Sequence, residues 1–140
     1  MVFRSADEIN VSLATDFGYI NPPPFKGEVV EFVTDQSEQF VRLHGPTNQV
    51  SAFVMKASDV QHLNLEQIID LYAIPNGGSI TNVSLVNVPA GTKLHGGLAN
   101  EGLGFNGGGY QFYIDRNQFE STYVDSNWFD EPLEIESFLN

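Results

Sequence analysis

The 140-residue chain contains no cysteine. Disulfides, thiolate nucleophiles and thiolate metal sites are excluded together, and the chain can fold in any redox compartment. Cations are nearly as scarce: six Lys and Arg against eighteen Asp and Glu give a formal net charge of −12. They stand apart at Arg4, Lys26, Arg42, Lys56, Lys93 and Arg116, no two adjacent. Nucleic-acid binders draw most of their affinity from clustered cations on phosphates, so neither nucleic acid nor an anionic membrane surface is an expected partner. One Arg with a few backbone N–H groups would still suffice for a small anionic ligand. The acidic excess suits either plain solubility or a basic protein partner.

Other absences narrow the chemistry. No apolar run reaches the roughly 18 residues of a membrane-spanning helix. The start "MVFRSADEIN" lacks the basic and apolar regions of a signal peptide, so any export address is expected on a larger parent chain. His44, His62 and His95 are far apart and show no ligand spacing such as HxxxH, so no metal is expected. There is no G-x-S-x-G elbow and no P-loop. Gly102, Gly104 and Gly107 have neither the spacing nor the strand-to-helix context of a dinucleotide fingerprint. Glu131, Glu134 and Glu136 form an E-x-E-like cluster of the kind used in ribosyl transfer, although an acidic tail reads first as a solvated edge.

What is present is mostly strand. "EVVEFV", "EQFVRLHG", "SAFVMKA", "ITNVSLVNV", "KLHGGLA" and "YQFYID" are apolar or alternating runs set between turn residues. "VSLATDFGYI" fits a strand or a short helix equally. "SDVQHLNLEQIIDLYAIP" is the convincing helical segment, with Asn64 and Gln67 as a capping box, Leu65, Ile68, Ile69 and Tyr72 on one face, and Pro75 as the stop. The tail "SNWFDEPLEIESFLN" is expected to wrap the body as a last strand or short turn. The fold class is α+β, a mostly antiparallel sheet or half-barrel with one or two helices. "NPPPF" is a rigid step that separates an N-terminal lead-in or linker, residues 1–35, from a main body, residues 36–140.

One stretch raises a question of its own. In "FNGGGYQFYI", Phe105 to Ile114, three glycines precede a strand that puts Gln111 and Tyr113 on one face and Tyr110, Phe112 and Ile114 on the other. Glycine is costly to order, so something must come too close for a side chain. Gly107, Gly108 and Gly109 form either a bulge at a sheet edge or the floor of a ligand cleft reached by Gln111.

"LYAIPNG" followed by "VNVPAGTKLHGGLANEGLGFNGGGYQFYI" resembles the C-terminal toxin domains of polymorphic toxin systems. More narrowly, it resembles the tuberculosis-necrotizing-toxin-like family of NAD(P)+ glycohydrolases. Pro89, Gly91, Gly97, Gly104, Gly108, Gly109 and Gln111 follow the family's order, and Arg42 in "RLHG" fits its start, so the likeness runs from about Gln39 to Ile114. The resemblance implies a catalytic domain that hydrolyses the N-glycosidic bond of NAD+ or NADP+, with no cofactor beyond that substrate. It gives Gln111 the nicotinamide-side ribose and Arg42 the pyrophosphate, although Arg42 in so acidic a chain also reads as a structural ion pair. Gly107, Gly108, Gly109 and Phe105 would line the substrate, and His44 or His95 would add a polar contact at the mouth. It further implies a cognate immunity protein, export on a larger carrier, and action in the cytoplasm of a target cell. An ADP-ribosyltransferase using Glu134 or Glu136, a ribonuclease toxin, and a non-catalytic acidic binding module stand as alternatives.

Overall fold

The computed structural model describes residues 1–18, 23–74, 79–115 and 124–139. The elements run β1 (Val2–Ser5), α1 (Ala6–Phe17), β2 (Phe25–Val33), β3 (Glu38–His44), β4 (Phe53–Val54), α2 (Ala57–Val60), α3 (Leu65–Tyr72), β5 (Asn82–Val88), β6 (Lys93–Ala99), β7 (Tyr110–Ile114), β8 (Leu133–Glu134) and α4 (Ile135–Phe138). All strand pairs are antiparallel, in two sheets of order β1-β2-β6-β7-β4 and β3-β5-β8. Reciprocal backbone bonds between Val41 and Met55, 2.8 and 3.0 Å, splice β3 to β4 and join the sheets edge to edge. The α+β expectation holds. Its substantial helices are α1 and α3, while α2 and α4 are single turns.

Strand alternation gives this sheet an inner and an outer face. Inside, Phe112 of β7 meets Phe40 of β3 at 4.9 Å between ring centroids and Phe32 of β2 at 6.2 Å. Strands that are not neighbours thus close on one another, and the sheet curls. Outside, Phe25, Phe53 and Tyr113 stack in series under α1.

The expected lead-in is part of this body. Ser5 caps α1 by accepting from the Glu8 N–H, and Gly18 ends it at φ 75°, so the ambiguous "VSLATDFGYI" begins inside a helix. Ala6, Ile9 and Leu13 are buried on its inward side. The Asn10 amide holds both backbone groups of Phe25, donating to its carbonyl at 2.7 Å and accepting from its N–H at 2.9 Å. β2 then pairs with β6 as an interior strand. Burying Ile9, Leu13, Phe25 and Val29 contributes about 1.5–3 kcal/mol each, far more than a linker would supply. A boundary at residue 35 would cut through this core.

The helical segment divides. α2 and α3 are separated at residues 61–64, and Asn64 restarts the helix with the expected capping box to Gln67. Pro75, the expected stop, lies outside the described residues. The P-A-G-T turn is a staple for β2. Thr34 Oγ1 and Thr92 Oγ1 both donate to the Pro89 carbonyl at 2.8 Å, the Gly91 N–H reaches the Thr34 carbonyl at 2.7 Å, and Gly91 stands at φ 85°. That motif therefore encodes a corner of the fold.

Candidate functional site

Gln111 sits mid-strand on the outer face of β7, opposite Gly97. A Cβ on Gly97 would touch Phe25 and Val29 at 3.0 and 3.2 Å, so no side chain separates Gln111 from this packing. The Gln111 amide nitrogen donates to the Pro24 carbonyl at 2.8 Å, which fixes the amide and directs its carbonyl oxygen elsewhere. No described residue donates to that oxygen.

The three glycines answer to α3. Gly107 and Gly109 donate to the Asp70 and Leu71 carbonyls at 2.9 and 2.8 Å, satisfying groups that a helix end leaves open. Gly108 turns back to the Ala99 carbonyl at 2.9 Å. Asn106 binds the Asp70 carboxylate through its backbone and side-chain N–H groups, which hold the Asp70 pKa below its ordinary value. A Cβ on Gly109 would stand 2.7 Å from the Tyr72 ring. What comes close to the backbone here is the end of a helix and its tyrosine. Phe105 closes a tight turn with Gly102, through Leu103 and Gly104 at φ 54° and 82°, and is half-buried.

Arg42 and His44 lie elsewhere. They share the inner side of β3 with Phe40, so the sheet itself stands between them and Gln111. Arg42 donates from Nε to the Gln49 carbonyl at 3.0 Å and from Nη2 to the Asn48 carbonyl at 3.2 Å. Burial lowers its pKa to about 10, and no described carboxylate pairs with it. His44 donates from Nδ1 to the Gly45 carbonyl at 2.6 Å and accepts at Nε2 from the Ser84 hydroxyl at 2.8 Å. This looks like a Ser–His hydrolytic pair, but Ser84 is 0% exposed and also accepts from Gln49. The network fastens the 45–50 loop to β3 and β5.

Burial also lowers the His44 pKa from its ordinary 6.5, helped by the charge of Arg42 and opposed by the Gly45 carbonyl. The unfolded chain takes up this proton at a higher pH than the folded one does. Stability should therefore fall as pH drops below about 6.5. Urea midpoints at pH 7.5 and 5.5 should separate, and a His44→Gln variant should show a smaller separation. Equal separations would remove His44 from the effect.

His95, the remaining candidate, does share the outer face with Gln111, one diagonal step away across β6 and β7. Its Nε2 donates to Glu31 Oε1 at 2.9 Å, and Arg4 Nε reaches the same oxygen at 3.3 Å while Nη1 reaches Glu8 at 3.1 Å. Burial pulls the Glu31 pKa upward, but the bonds from His95 and Arg4 outweigh it and hold the carboxyl below its ordinary range. His95 Nδ1 is buried without a hydrogen-bond partner. These side chains line a cleft of about 210 Å³ under α1, together with Ser12, Tyr113 and Asp115. Sequence spacing held no sign of Arg4 and Glu31, which β-pairing brings to His95 from 91 and 64 residues away.

The class defined by this architecture is a curled antiparallel sheet with helices on its outer face and a Gly-Gly-Gly-x-Gln strand docked on a helix end. The fold is similar to that of Tne2 in its complex with Tni2, with a TM-score of 0.54 and 14% identity over 76% of this chain and 91% of that one. At that identity the likeness is one of fold. No family model and no curated protein sequence matches the chain.

Proposed function

We propose that the chain is the toxin domain of a larger exported protein and hydrolyses the N-glycosidic bond of NAD+ or NADP+ in the cytoplasm of a target cell. The observation that carries this is Gln111. It closes the motif behind the family resemblance, and its amide is held by Pro24 while no described residue donates to its carbonyl oxygen. The fold shared with Tne2, a protein whose structure holds a bound partner, Tni2, supports the same reading and the expectation of a cognate immunity protein here.

In the proposed reaction the C1′–N bond of the nicotinamide riboside breaks and its electron pair leaves with nicotinamide, which departs neutral. Water adds to C1′ and loses one proton to solvent, giving ADP-ribose. No strong general acid is needed, since the electron pair of the breaking bond neutralises the pyridinium nitrogen and the positive charge passes to the ribosyl centre. The protein would hold the ribose and stabilise positive charge growing at C1′, both achieved by a fixed dipole. The Gln111 carbonyl supplies that dipole. The Arg4–Glu31–His95 cluster supplies fixed polar groups further along the same face. Arg42 positions the 45–50 loop.

The test is nicotinamide release from NAD+ and from NADP+ by the purified chain, one nicotinamide per dinucleotide lost. Intact dinucleotides would end the reading. Glu134 and Glu136 separate it from a transferase. Both are exposed on the β8–α4 edge, in the second sheet and four strands along from β7. A Glu134→Gln/Glu136→Gln variant should keep turnover within about twofold, as expected of exposed residues away from a site. Its silencing would move the chemistry to the tail.

A further inference from the structure

Tyr72 of α3 and Gln111 of β7 each carry a polar atom that no described residue bonds, and both side chains lie on the outer face of the β7 end. Tyr72 is 7% exposed and Gln111 8%. The Tyr72 Cε1, Cζ and Cε2 atoms come within 2.7–2.9 Å of where a Gly109 Cβ would be, so the hydroxyl end of the ring overhangs the strand. Gly109 extends the β6–β7 pairing, with its carbonyl accepting from Ala99 at 2.7 Å. Gly109 and Gln111 are two residues apart along it, roughly 6.6 Å, and face the same way.

Buried tyrosines ordinarily find a partner for the hydroxyl. Here no described residue bonds the Tyr72 hydroxyl or the Gln111 carbonyl oxygen, and neither atom is sealed from solvent. Burial, with the charge of Asp59, raises the Tyr72 pKa to about 12, so the phenol keeps its proton. One side of the pair is a donor and the other an acceptor.

We propose that Tyr72 is a substrate-recognition residue that works with Gln111 to hold a vicinal diol, the 2′- and 3′-hydroxyls of the nicotinamide-side ribose. The Tyr72 hydroxyl donates to one ribose oxygen, and the other ribose hydroxyl donates to the Gln111 carbonyl. The glycines then have a second consequence: by admitting the tyrosine ring onto the bare backbone, they place its hydroxyl beside Gln111. This rests on the reaction proposed above.

Tyr72→Phe keeps the ring on Gly109 and removes only the hydroxyl, so its melting temperature should match that of the wild type. Its kcat/KM for NAD+ should fall about 10–100-fold, the scale of removing one hydrogen-bond donor and leaving its partner unpaired. The loss should shrink to about twofold or less on one of two NAD+ analogues that lack the 2′- or the 3′-hydroxyl of the nicotinamide ribose. Unchanged kinetics in Tyr72→Phe, or an equal loss on all three substrates, would overturn the assignment and leave the hydrolase reading standing. Should the wild type leave NAD+ intact, the hydrolase reading falls, and calorimetric titration with ADP-ribose decides about the pair. Binding by the wild type at least tenfold tighter than by Tyr72→Phe would uphold diol recognition, and no binding or equal binding would overturn it.

Discussion

Replacing Gln111 with alanine should lower kcat/KM for NAD+ by about 10²–10³-fold, the range seen when one preorganised dipole is removed from a developing charge. The same substitution should barely touch the fold. Among the described residues the Gln111 side chain makes one hydrogen bond, to Pro24, and the Pro24 carbonyl keeps a second donor in the Asn100 N–H at 3.0 Å. No acceptor is orphaned, so the stability cost is that of one ordinary hydrogen bond, about 1 kcal/mol. Thermal unfolding and nicotinamide release, measured on the same preparation, therefore separate the two roles of this side chain. A large drop in melting temperature with a proportionate drop in activity would make Gln111 a structural tie to the 24–25 corner. Unchanged turnover in a well-folded variant would take Gln111 out of the chemistry altogether.

Legibility in the sequence followed the range of the interaction. The strands and the Asn64–Gln67 cap were readable because alternation and capping are written within a few residues. The α1 start was equally local, since Ser5 and Glu8 have the S-x-x-E spacing of a capping box, but the mixed run behind them hid the helix. Its consequence, that β1 and β2 complete the sheet, depends on Asn10 meeting Phe25 and on β2 entering between β1 and β6. Neither contact is written in local pattern. The site divided in the same way. The opposite facing of Gln111 and Phe112 was legible, because a strand alternates. That Arg42 would face inward while Gln111 faces outward was not, because it depends on the Val41–Met55 splice that sets the phase of one sheet against the other. Arg4 and Glu31 join His95 purely through cross-strand register. The glycine triplet announced a close approach but could not name the approaching group.

Gly109→Ala should destabilise the protein by about 2–3 kcal/mol, the upper part of the range for overpacking a filled site. For a chain of this length that is a fall in melting temperature of roughly 6–12 °C. The added methyl meets three Tyr72 ring atoms at 2.7–2.9 Å. Relief by sliding is blocked, because the Gly109 N–H is bonded at 2.8 Å to the carbonyl of Leu71, the residue before that tyrosine. Strand and ring are tied at the point where they collide. A Tyr72→Leu background tests this directly: leucine fills the base of the ring site and leaves the Cζ end empty, so Gly109→Ala should there cost less by at least about 1 kcal/mol, a coupling typical of residues in contact. Gly108→Ala is the control. Gly108 stands at φ 97° with nothing within 4 Å of an added Cβ, so its cost of about 1–2 kcal/mol is backbone strain and should be the same in both backgrounds. If Gly109 were bare in order to face a ligand, Gly109→Ala would leave the melting temperature in place and raise KM alone. A lowered melting temperature, restored in part by Tyr72→Leu, assigns the glycine to the tyrosine, and through it the placement of a hydroxyl beside Gln111.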